Sequence, residues 1–277
     1  MKRMMIFAAV FGLAIVAITW GSLRWVKVYE HVVYFDNLPP HLEGFRILQI
    51  SDLHAHDPER INVDIWRHID RLDFDMAAIT GDVILGRQQF YQGPITELDA
   101  HREQFAALAQ RRPTFFVEGN HEGHNFPQVY ALMNDLGITF LRNQTYNLEH
   151  GGGIIEILGT ADPSILRWEG FAAFDALFET PSDNFQLVLT HQPQMFDRFK
   201  DSGVNLTLAG HTHGGQIRLP FVPTIYAPGQ GFFPRYGAGF YYHEDAVLYV
   251  SRGIGTTYFP LRFWNRPELA VFELRGR

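Results

Sequence analysis

Two histidines, His211 and His213, lie one residue apart in the segment GHTHGGQ, with glycines on both sides. Imidazole is the commonest metal ligand among side chains, and glycine lets the backbone turn tightly and lets a bound molecule approach it. A G-H-x-H segment on its own occurs by chance in roughly one such chain in twenty, and a polar turn explains it equally well. The segment therefore indicates a metal site only if other ligands accompany it.

Further candidate ligands stand at the ends of other apolar runs. The runs are FRILQI, DMAAIT, TFFVE, FQLVLT and VNLTLA, followed in turn by Asp52 and His54, Asp82, Asn120 with His121, His191, and His211 with His213. Near-continuous apolar runs are typical of strands buried on both faces. Helical-period segments at Ile61–Leu72 and Leu98–Arg111 separate several of them, which predicts parallel β-α-β units with their loops along one rim. The later runs GGIIEILGT, DAVLYVS and ELAVFEL are expected to form hairpins or a second sheet, giving an α/β fold of two packed sheets flanked by helices.

Each candidate ligand also has an ordinary structural explanation when it is taken alone. Asp52 can cap a helix, Gly81-Asp82 is a common turn, and a lone His191 after a strand is usually structural. On one rim, however, these side chains would be costly to bury together without a cation. The candidate ligands are Asp52, His54, Asp82, Asn120, His191, His211 and His213. Seven donors are too many for a four-ligand structural zinc site, so the set predicts two cations.

The order D-x-H, G-D, G-N-H-E, H, G-H-x-H over Ile50–Gln216 resembles the signature of the calcineurin-like metallophosphoesterase superfamily. The resemblance implies a four-layer α-β-β-α sandwich of two mixed β-sheets. It also implies one ion held by Asp52, His54 and His213, and a second held by Asn120, His191 and His211. Asp82 would bridge the ions and share in catalysis, and the nucleophile would be a hydroxide between them. His121 would not bind metal but would protonate the leaving oxygen. Histidine, aspartate and asparagine ligands favour Mn²⁺, with Fe, Zn or Ni as alternatives.

Four residues near these motifs are candidates for supporting roles. They are Glu122, expected to orient His121 or Asn120 by a hydrogen bond, and His56, His124 and Arg235, expected to support the ligands or to contact substrate. For the two histidines a solvated loop position is an equal alternative.

The N-terminus predicts a membrane anchor. Residues 4–20, MMIFAAVFGLAIVAITW, form an uncharged apolar run after Lys2 and Arg3, at the lower limit for a helix that spans a bilayer. A cleaved signal peptide is the alternative, although no convincing cleavage site follows. We therefore expect an anchor and juxtamembrane segment at 1–27, a catalytic domain at 28–277, and a location at the cell (inner) membrane. The charge bias points weakly to a domain outside the cytoplasm.

Charge and composition limit the classes of partner and of catalytic group. The net charge of −7 argues against a nucleic-acid partner, and the absence of cysteine excludes a thiol nucleophile.

The anchor and the segment Ser251–Leu274 resemble the membrane-associated bacterial branch, which includes enzymes similar to UDP-2,3-diacylglucosamine pyrophosphatase of lipid A synthesis. The aromatic segment Leu219–Tyr242 is expected either to form a lip that contacts a lipid-linked substrate or to cover the core. An envelope phospholipid or a cell-wall polymer is the alternative substrate, and a metal-free binding scaffold is the alternative that is not an enzyme.

Overall fold

The computed structural model describes residues 25–55, 58–86, 96, 98–123, 126–219, 221–256 and 262–277, together with Ala17, Thr19, Gly21 and Ser22. Within these residues two six-stranded sheets pack face to face. Both sheets are mixed, because most neighbouring strands run parallel while one pair in the first sheet and two pairs in the second run antiparallel.

The first sheet has the order β1-β14-β2-β3-β4-β5, and the second has the order β12-β13-β9-β8-β7-β6. The strands are β1 (Lys27–Phe35), β2 (Arg46–Ile50), β3 (Met76–Thr80), β4 (Thr114–Val117), β5 (Thr139–Phe140), β6 (Gln144–His150), β7 (Gly153–Gly159), β8 (Phe185–Leu189), β9 (Leu206–Ala209), β10 (Tyr226–Ala227), β11 (Gly231–Phe232), β12 (Gly239–His243), β13 (Ala246–Val250) and β14 (Glu268–Gly276). The helices are α1 (Pro58–Arg71), α2 (Arg102–Arg111), α3 (Phe126–Asp135), α4 (Pro163–Glu169), α5 (Ala172–Ala176) and α6 (Phe196–Phe199). Strands β10 and β11 form a small separate hairpin.

Three hydrophobic clusters define the layers. The central cluster joins the facing sides of the two sheets and includes Ile47, Leu187 and Phe272. A second cluster packs α1, α2 and α3 on the outer face of the first sheet, and a third packs α4 and α6 on the outer face of the second. Since each sheet buries both faces, the middle strands β3, β8 and β13 are buried along their whole length. The predicted two-sheet core flanked by helices is therefore confirmed.

All five apolar runs that precede candidate ligands are strands, as predicted, but they do not belong to one sheet. Strands β2, β3 and β4 lie in the first sheet, whereas β8 and β9 lie in the second. The run ELAVFEL also departs from expectation. As β14 it returns to the first sheet and pairs with β1 and β2, instead of extending the second. The helical segments end near their predicted bounds, with a short 3₁₀ turn at Asp99–His101 before α2.

The predicted anchor of residues 4–20 lies almost wholly outside the described residues. Among the residues that are described, no helix has both the length and the apolar character needed to cross a membrane. The first strand, β1, begins at Lys27, the last residue assigned to the predicted juxtamembrane segment.

Candidate metal centre

The loops after five strands meet where the two sheets adjoin. Gln49 of β2 reaches across the sheets, because its Nε2 donates to Thr80 Oγ1 and to the carbonyl of Ala209, both at 3.0 Å. The His191 ring forms a second link between the two sheets, because its Nδ1 lies 2.7 Å from the carbonyl oxygen of Thr80. A single cluster is therefore built from three loops of one sheet and two loops of the other.

Two glycines explain how the loops approach so closely. A Cβ on Gly210 would collide with Ser51 Oγ and the Asp52 carboxylate, and a Cβ on Gly119 would collide with Asp82. The glycine that precedes His211 is thus required by the neighbouring loop rather than by the turn in its own.

Most of the candidate ligands have an unusual backbone conformation. Asp52, His54, Asp82, His211 and His213 all have φ between 45° and 70°. This left-handed region costs a residue with a side chain about 1 kcal/mol or more. Strained backbone in several adjacent loops indicates that the orientation of these side chains is specified by a binding function.

Asp82 lies at the middle of the cluster. Its Oδ2 is 3.2 Å from His191 Nε2, 3.7 Å from His54 Nε2 and 3.8 Å from His121 Nε2. Its Oδ1 accepts a hydrogen bond of 3.0 Å from the backbone N–H of His121. One carboxylate oxygen therefore faces imidazoles from three loops, a position suited to a ligand of a metal ion bound in the cluster.

The remaining ligands fall on two sides of Asp82. On one side His213 Nε2 lies 3.1 Å from His54 Nε2 and 3.5 Å from Asp52 Oδ1. On the other side His211 Nδ1 lies 3.2 Å from His191 Nε2. Asp52, His54 and His213 form one group whose ligand atoms all lie within 4.8 Å of one another, and Asp82, His191 and His211 form another. A third such group is His54, Asp82 and His121. Six of the seven candidate ligands are thus brought together, and their division between ions stays a prediction.

Hydrogen bonds to backbone carbonyls fix which ring nitrogen faces the cluster. Nδ1 of His54 donates to Ile84 O at 3.2 Å, and Nδ1 of His191 donates to Thr80 O. In a neutral ring this bond leaves Nε2 with its lone pair toward the site, as a metal ligand requires. His191, which Asp82 keeps protonated in the absence of metal, would release its Nε2 proton when a cation binds.

His213 differs, because its Nδ1 faces Arg262 Nη2 at 3.3 Å and a guanidinium can only donate. Its neutral ring therefore carries the proton on Nε2 and donates it to His54. A cation bound through Nε2 would require the ring proton to move to Nδ1, and Arg262 Nη2 would then no longer donate to this ring.

Burial and neighbouring charges determine which groups of the cluster are ionised. Burial lowers the pKa of His54 and of His211 to about 3, so both rings are neutral. Burial raises the pKa of Asp52 to about 6. Although burial acts in the same direction on Asp82, His191 and the neighbouring histidines hold the pKa of that carboxyl well below its usual value. Asp82 is thus stabilised by positive charge, and His191 supplies it in the absence of metal.

One buried acceptor supports the fit to metal. In the described part of the chain, Asn120 Oδ1 has no hydrogen-bond partner. An uncharged amide oxygen is a suitable ligand for a borderline divalent cation. The donor set, the facing ring nitrogens and the orphaned amide oxygen together fit the ions that the sequence predicts.

Glu122 supports the site in a different way from the one expected. Its carboxylate does not bond the side chains of His121 or Asn120. It accepts instead from three backbone N–H groups, those of Asp82 at 2.9 Å, Ile84 at 3.1 Å and Gly119 at 2.7 Å. Glu122 therefore ties the loop that carries Asp82 to the loop that carries Asn120.

Of the other predicted supporting residues, Arg235 alone lies within the described part of the chain. Arg235 is largely exposed, and its Nη1 pairs with Asp197 Oδ1 at 2.8 Å. No contact within the described ranges joins it to a candidate ligand, so its role toward substrate stays a prediction. His56 and His124 lie outside the described residues.

Three residues that the sequence reasoning did not single out contact the ligands. Ser51 Oγ donates to Asp52 Oδ2 at 2.6 Å, and Asn265 Nδ2 donates to the carbonyl oxygen of His213 at 2.6 Å. Arg262 is fully buried behind His213 and also donates to Gly255 O. The position of Ser51 directly before Asp52 was an available signal. Arg262 and Asn265 come from a segment about fifty residues away in the chain, and no local pattern links them to the motif.

Comparison with known proteins agrees with this geometry. Residues 45–215 match the family model of the calcineurin-like phosphoesterases. The chain belongs to the calcineurin-like phosphoesterase family. It is 32% identical to the uncharacterized metallophosphoesterase YkuE of Bacillus subtilis, over 100% of this chain and 98% of that protein. It is 30% identical to the phosphodiesterase YaeI of Escherichia coli, over 90% and 88% of the two chains. A dimetal phosphatase from Danio rerio superposes with a TM-score of 0.45 at 13% identity, over 76% of this chain and 88% of that one.

The protein is therefore a metal-dependent phosphoester hydrolase. The family match spans every candidate ligand from Asp52 to His213. Arg262 and Asn265 lie beyond the matched residues, so their contacts with His213 are known from the structure of this phosphoesterase alone.

Proposed function

We propose that this phosphoesterase binds two divalent cations and hydrolyses a phosphodiester or pyrophosphate bond of a membrane-associated lipid or glycolipid. The observation that carries the dinuclear site is the position of Asp82 Oδ2 between the two ligand groups. Asp52, His54 and His213 would hold one ion, Asn120, His191 and His211 the other, and Asp82 both. Mn²⁺ is the expected metal, with Fe, Zn or Ni as alternatives. Bound cations supply Lewis-acid polarisation of the phosphoryl group and activation of water.

The position of His121 supports a role in protonating the leaving group. Its Nδ1 lies 2.6 Å from Leu85 O, so the ring is oriented and Nε2 is turned toward the cluster. This Nε2 lies 3.8 Å from Asp82 Oδ2, too far for a hydrogen bond but within the cluster where a substrate phosphate would lie. A histidine held this way can deliver a proton to the departing oxygen. His121 is also the least buried of the clustered histidines, as a group that meets substrate must be.

The segment Leu219–Tyr242 supports a lipid-like substrate. Gly229 of this segment approaches His211 Nε2 so closely that a Cβ would lie 3.1 Å from it, and Thr212 Oγ1 donates to the carbonyl of Gly237. The segment therefore borders the candidate metal centre. The rings of Phe221, Phe232 and Phe233 are exposed rather than packed in the core. An exposed aromatic group beside a phosphoryl-binding site suits contact with acyl chains or with a bilayer surface.

The chemistry is tested first with a generic substrate. The full-length protein in detergent should hydrolyse bis-p-nitrophenyl phosphate, lose this activity in EDTA and regain it with Mn²⁺. Absence of any metal-dependent turnover would contradict the proposed chemistry.

The substrate is tested by incubating the membrane-bound protein with UDP-2,3-diacylglucosamine and assaying release of UMP. Release of UMP would support the glycolipid assignment and an active site on the cytoplasmic side, where such a nucleotide-lipid is made. Turnover of a phospholipid or a cell-wall polymer without release of UMP would favour the alternative substrates and a domain outside the cytoplasm.

A further inference from the structure

A second cavity, separate from the candidate metal centre, lies where the N-terminal residues meet the first sheet. It has a volume of about 600 Å³ and is lined by three cations and three aromatic rings, those of Trp25, Lys27, Tyr29, Arg252, Trp264 and Arg266. Among the described residues none that lines it is acidic, although the chain as a whole carries a net charge of −7. A cavity of this size accommodates a small molecule or a lipid headgroup.

Aromatic rings, rather than carboxylates, position most of these cations. Lys27 Nζ lies 4.4 Å from the centre of the Tyr29 ring, and the Arg266 guanidinium lies 5.6 Å from the centre of the Trp25 ring. Neither Lys27 nor Arg266 forms an ion pair with a carboxylate in the parts of the chain that the structure describes. A cation held over a ring keeps its N–H donors available for an anion.

Arg252, unlike Lys27 and Arg266, forms both a side-chain hydrogen bond and an ion pair. Its Nη1 donates to the Tyr29 hydroxyl at 2.9 Å, and its Nε lies 3.5 Å from Glu268 Oε2. Glu268 is buried and is the one carboxylate that contacts these cations within the described residues. The wall of the cavity therefore keeps an excess of positive charge after this pair is formed.

Arg218 is a further cation near Arg252, although it is not one of the residues that line the cavity. Its Nη1 is buried and has no hydrogen-bond partner among the described residues. Burial, together with the nearby Arg252 guanidinium, lowers the pKa of Arg218. A bound anion near Arg252 would therefore also offset the repulsion between these two guanidiniums.

The position of the cavity indicates the kind of anion. Gly21 and Ser22 line it, and they directly follow the apolar run of residues 4–20. The rings of Trp25 and Trp264 are about half exposed at its rim. Aromatic rings and cations at the end of an apolar segment are the residues that contact the headgroup layer of a bilayer.

The cavity is also distinct from the metal centre. Asn265 contacts the carbonyl of His213, whereas its neighbours Trp264 and Arg266 line the cavity. A ligand in the cavity would therefore lie on the other side of this chain segment from the candidate metal ligands.

We infer that this cavity binds the phosphate headgroup of an anionic phospholipid. Binding is non-covalent, with the phosphodiester facing Lys27, Arg252 and Arg266 and the acyl chains extending past Trp25 and Trp264. This site does not depend on the proposed catalytic function, because it requires no metal and no turnover.

The test measures binding to metal-free protein. Full-length protein in a non-ionic detergent with EDTA is titrated with dihexanoyl-phosphatidylglycerol, and binding is followed by calorimetry. Dihexanoyl-phosphatidylcholine and inorganic phosphate serve as comparison ligands. We expect the anionic lipid to bind at least tenfold more tightly than the zwitterionic lipid, with affinity that falls as salt is raised.

The variants are chosen so that folding is preserved. Lys27 and Arg266 are exposed and pair with no carboxylate of the described ranges, so Lys27→Gln and Arg266→Gln should fold normally. Each should weaken binding about five- to tenfold, and the double variant about thirtyfold or more. Arg277→Gln is the matched control, because Arg277 follows the opposite end of β14, roughly 30 Å away, and pairs with Asp36.

Three results would overturn the inference. These are equal binding of the two lipids, wild-type affinity in the double variant, or an equal loss in Arg277→Gln. Inorganic phosphate that binds as tightly as the anionic lipid would overturn the assignment of a lipid headgroup. All of these results are independent of whether bis-p-nitrophenyl phosphate is hydrolysed.

Discussion

Replacing Glu122 with glutamine should weaken metal binding although Glu122 is not a ligand. The carboxylate accepts from the backbone N–H groups of Asp82 and Gly119 through one oxygen, and from that of Ile84 through the other. In Glu122→Gln the amide oxygen can keep the first two bonds. The amide nitrogen then faces the Ile84 N–H, so two donors meet at about the 3.1 Å that now separates donor from acceptor.

The free-energy cost of Glu122→Gln follows from the hydrogen bonds that are lost or weakened. One buried N–H without an acceptor costs about 1–3 kcal/mol, and the two bonds that remain lose the contribution of a charged acceptor. A total of about 3 kcal/mol is spread over the loops that carry Asp82 and Asn120. If the loops relax in the metal-free protein, most of this energy appears when the ions are bound, as a 10–100-fold loss of affinity.

The assay is a Mn²⁺ titration of metal-free Glu122→Gln, combined with thermal unfolding in EDTA and in Mn²⁺. Glu118→Gln is the control, because Glu118 is also buried and lies four residues earlier, but its Oε1 pairs with Arg142 Nε at 3.2 Å. We expect the control to lose stability and to keep its Mn²⁺ affinity. Wild-type Mn²⁺ affinity in Glu122→Gln would refute the reasoning.

Three further outcomes are expected. Asp82→Ala should lower the bound metal from two ions toward one, as measured by elemental analysis, and should nearly abolish turnover; full occupancy would show that Asp82 is not shared. His121→Gln should keep both ions but lose about 10²–10⁴-fold in rate with an alkoxide leaving group, and less with p-nitrophenolate, in steady-state assays of both substrates. Burial lowers the pKa of His101 from 6.5 to about 4, and its Nδ1 accepts from Trp66 Nε1 at 3.0 Å. The neutral ring therefore contributes about 2 kcal/mol of stability above pH 6.5 that is lost as the pH falls toward 4, and urea unfolding should show a weaker pH dependence in His101→Gln.

The sequence predicts the ligand-bearing strands well, because each is short, apolar and followed at once by a polar loop. This pattern is local, so it can be recognised without knowing which strands are paired. The assignment of strands to sheets is not local. β8 and β9 have the same apolar character as β2 and β3, and nothing in their periodicity tells which sheet they join.

Contacts between segments that are distant in the chain also cannot be predicted from the local sequence. ELAVFEL pairs in the first sheet because β14 fits between β1 and β2, a choice determined by the whole topology. Arg262 reaches His213 across 49 residues of chain. The left-handed backbone of Asp52 or His211 is also a tertiary effect, since neither residue type requires it.

That left-handed backbone makes the stability of the folded protein depend on the supply of metal. Five strained ligands cost roughly 5 kcal/mol together, which is comparable to the whole stability of a typical domain. Bound ions offset this cost, because a ligand that binds only the folded chain raises the free energy of unfolding. A newly made chain that finds no metal is then more often unfolded and more exposed to proteases. The abundance of this phosphoesterase in the cell should therefore follow the availability of its metal.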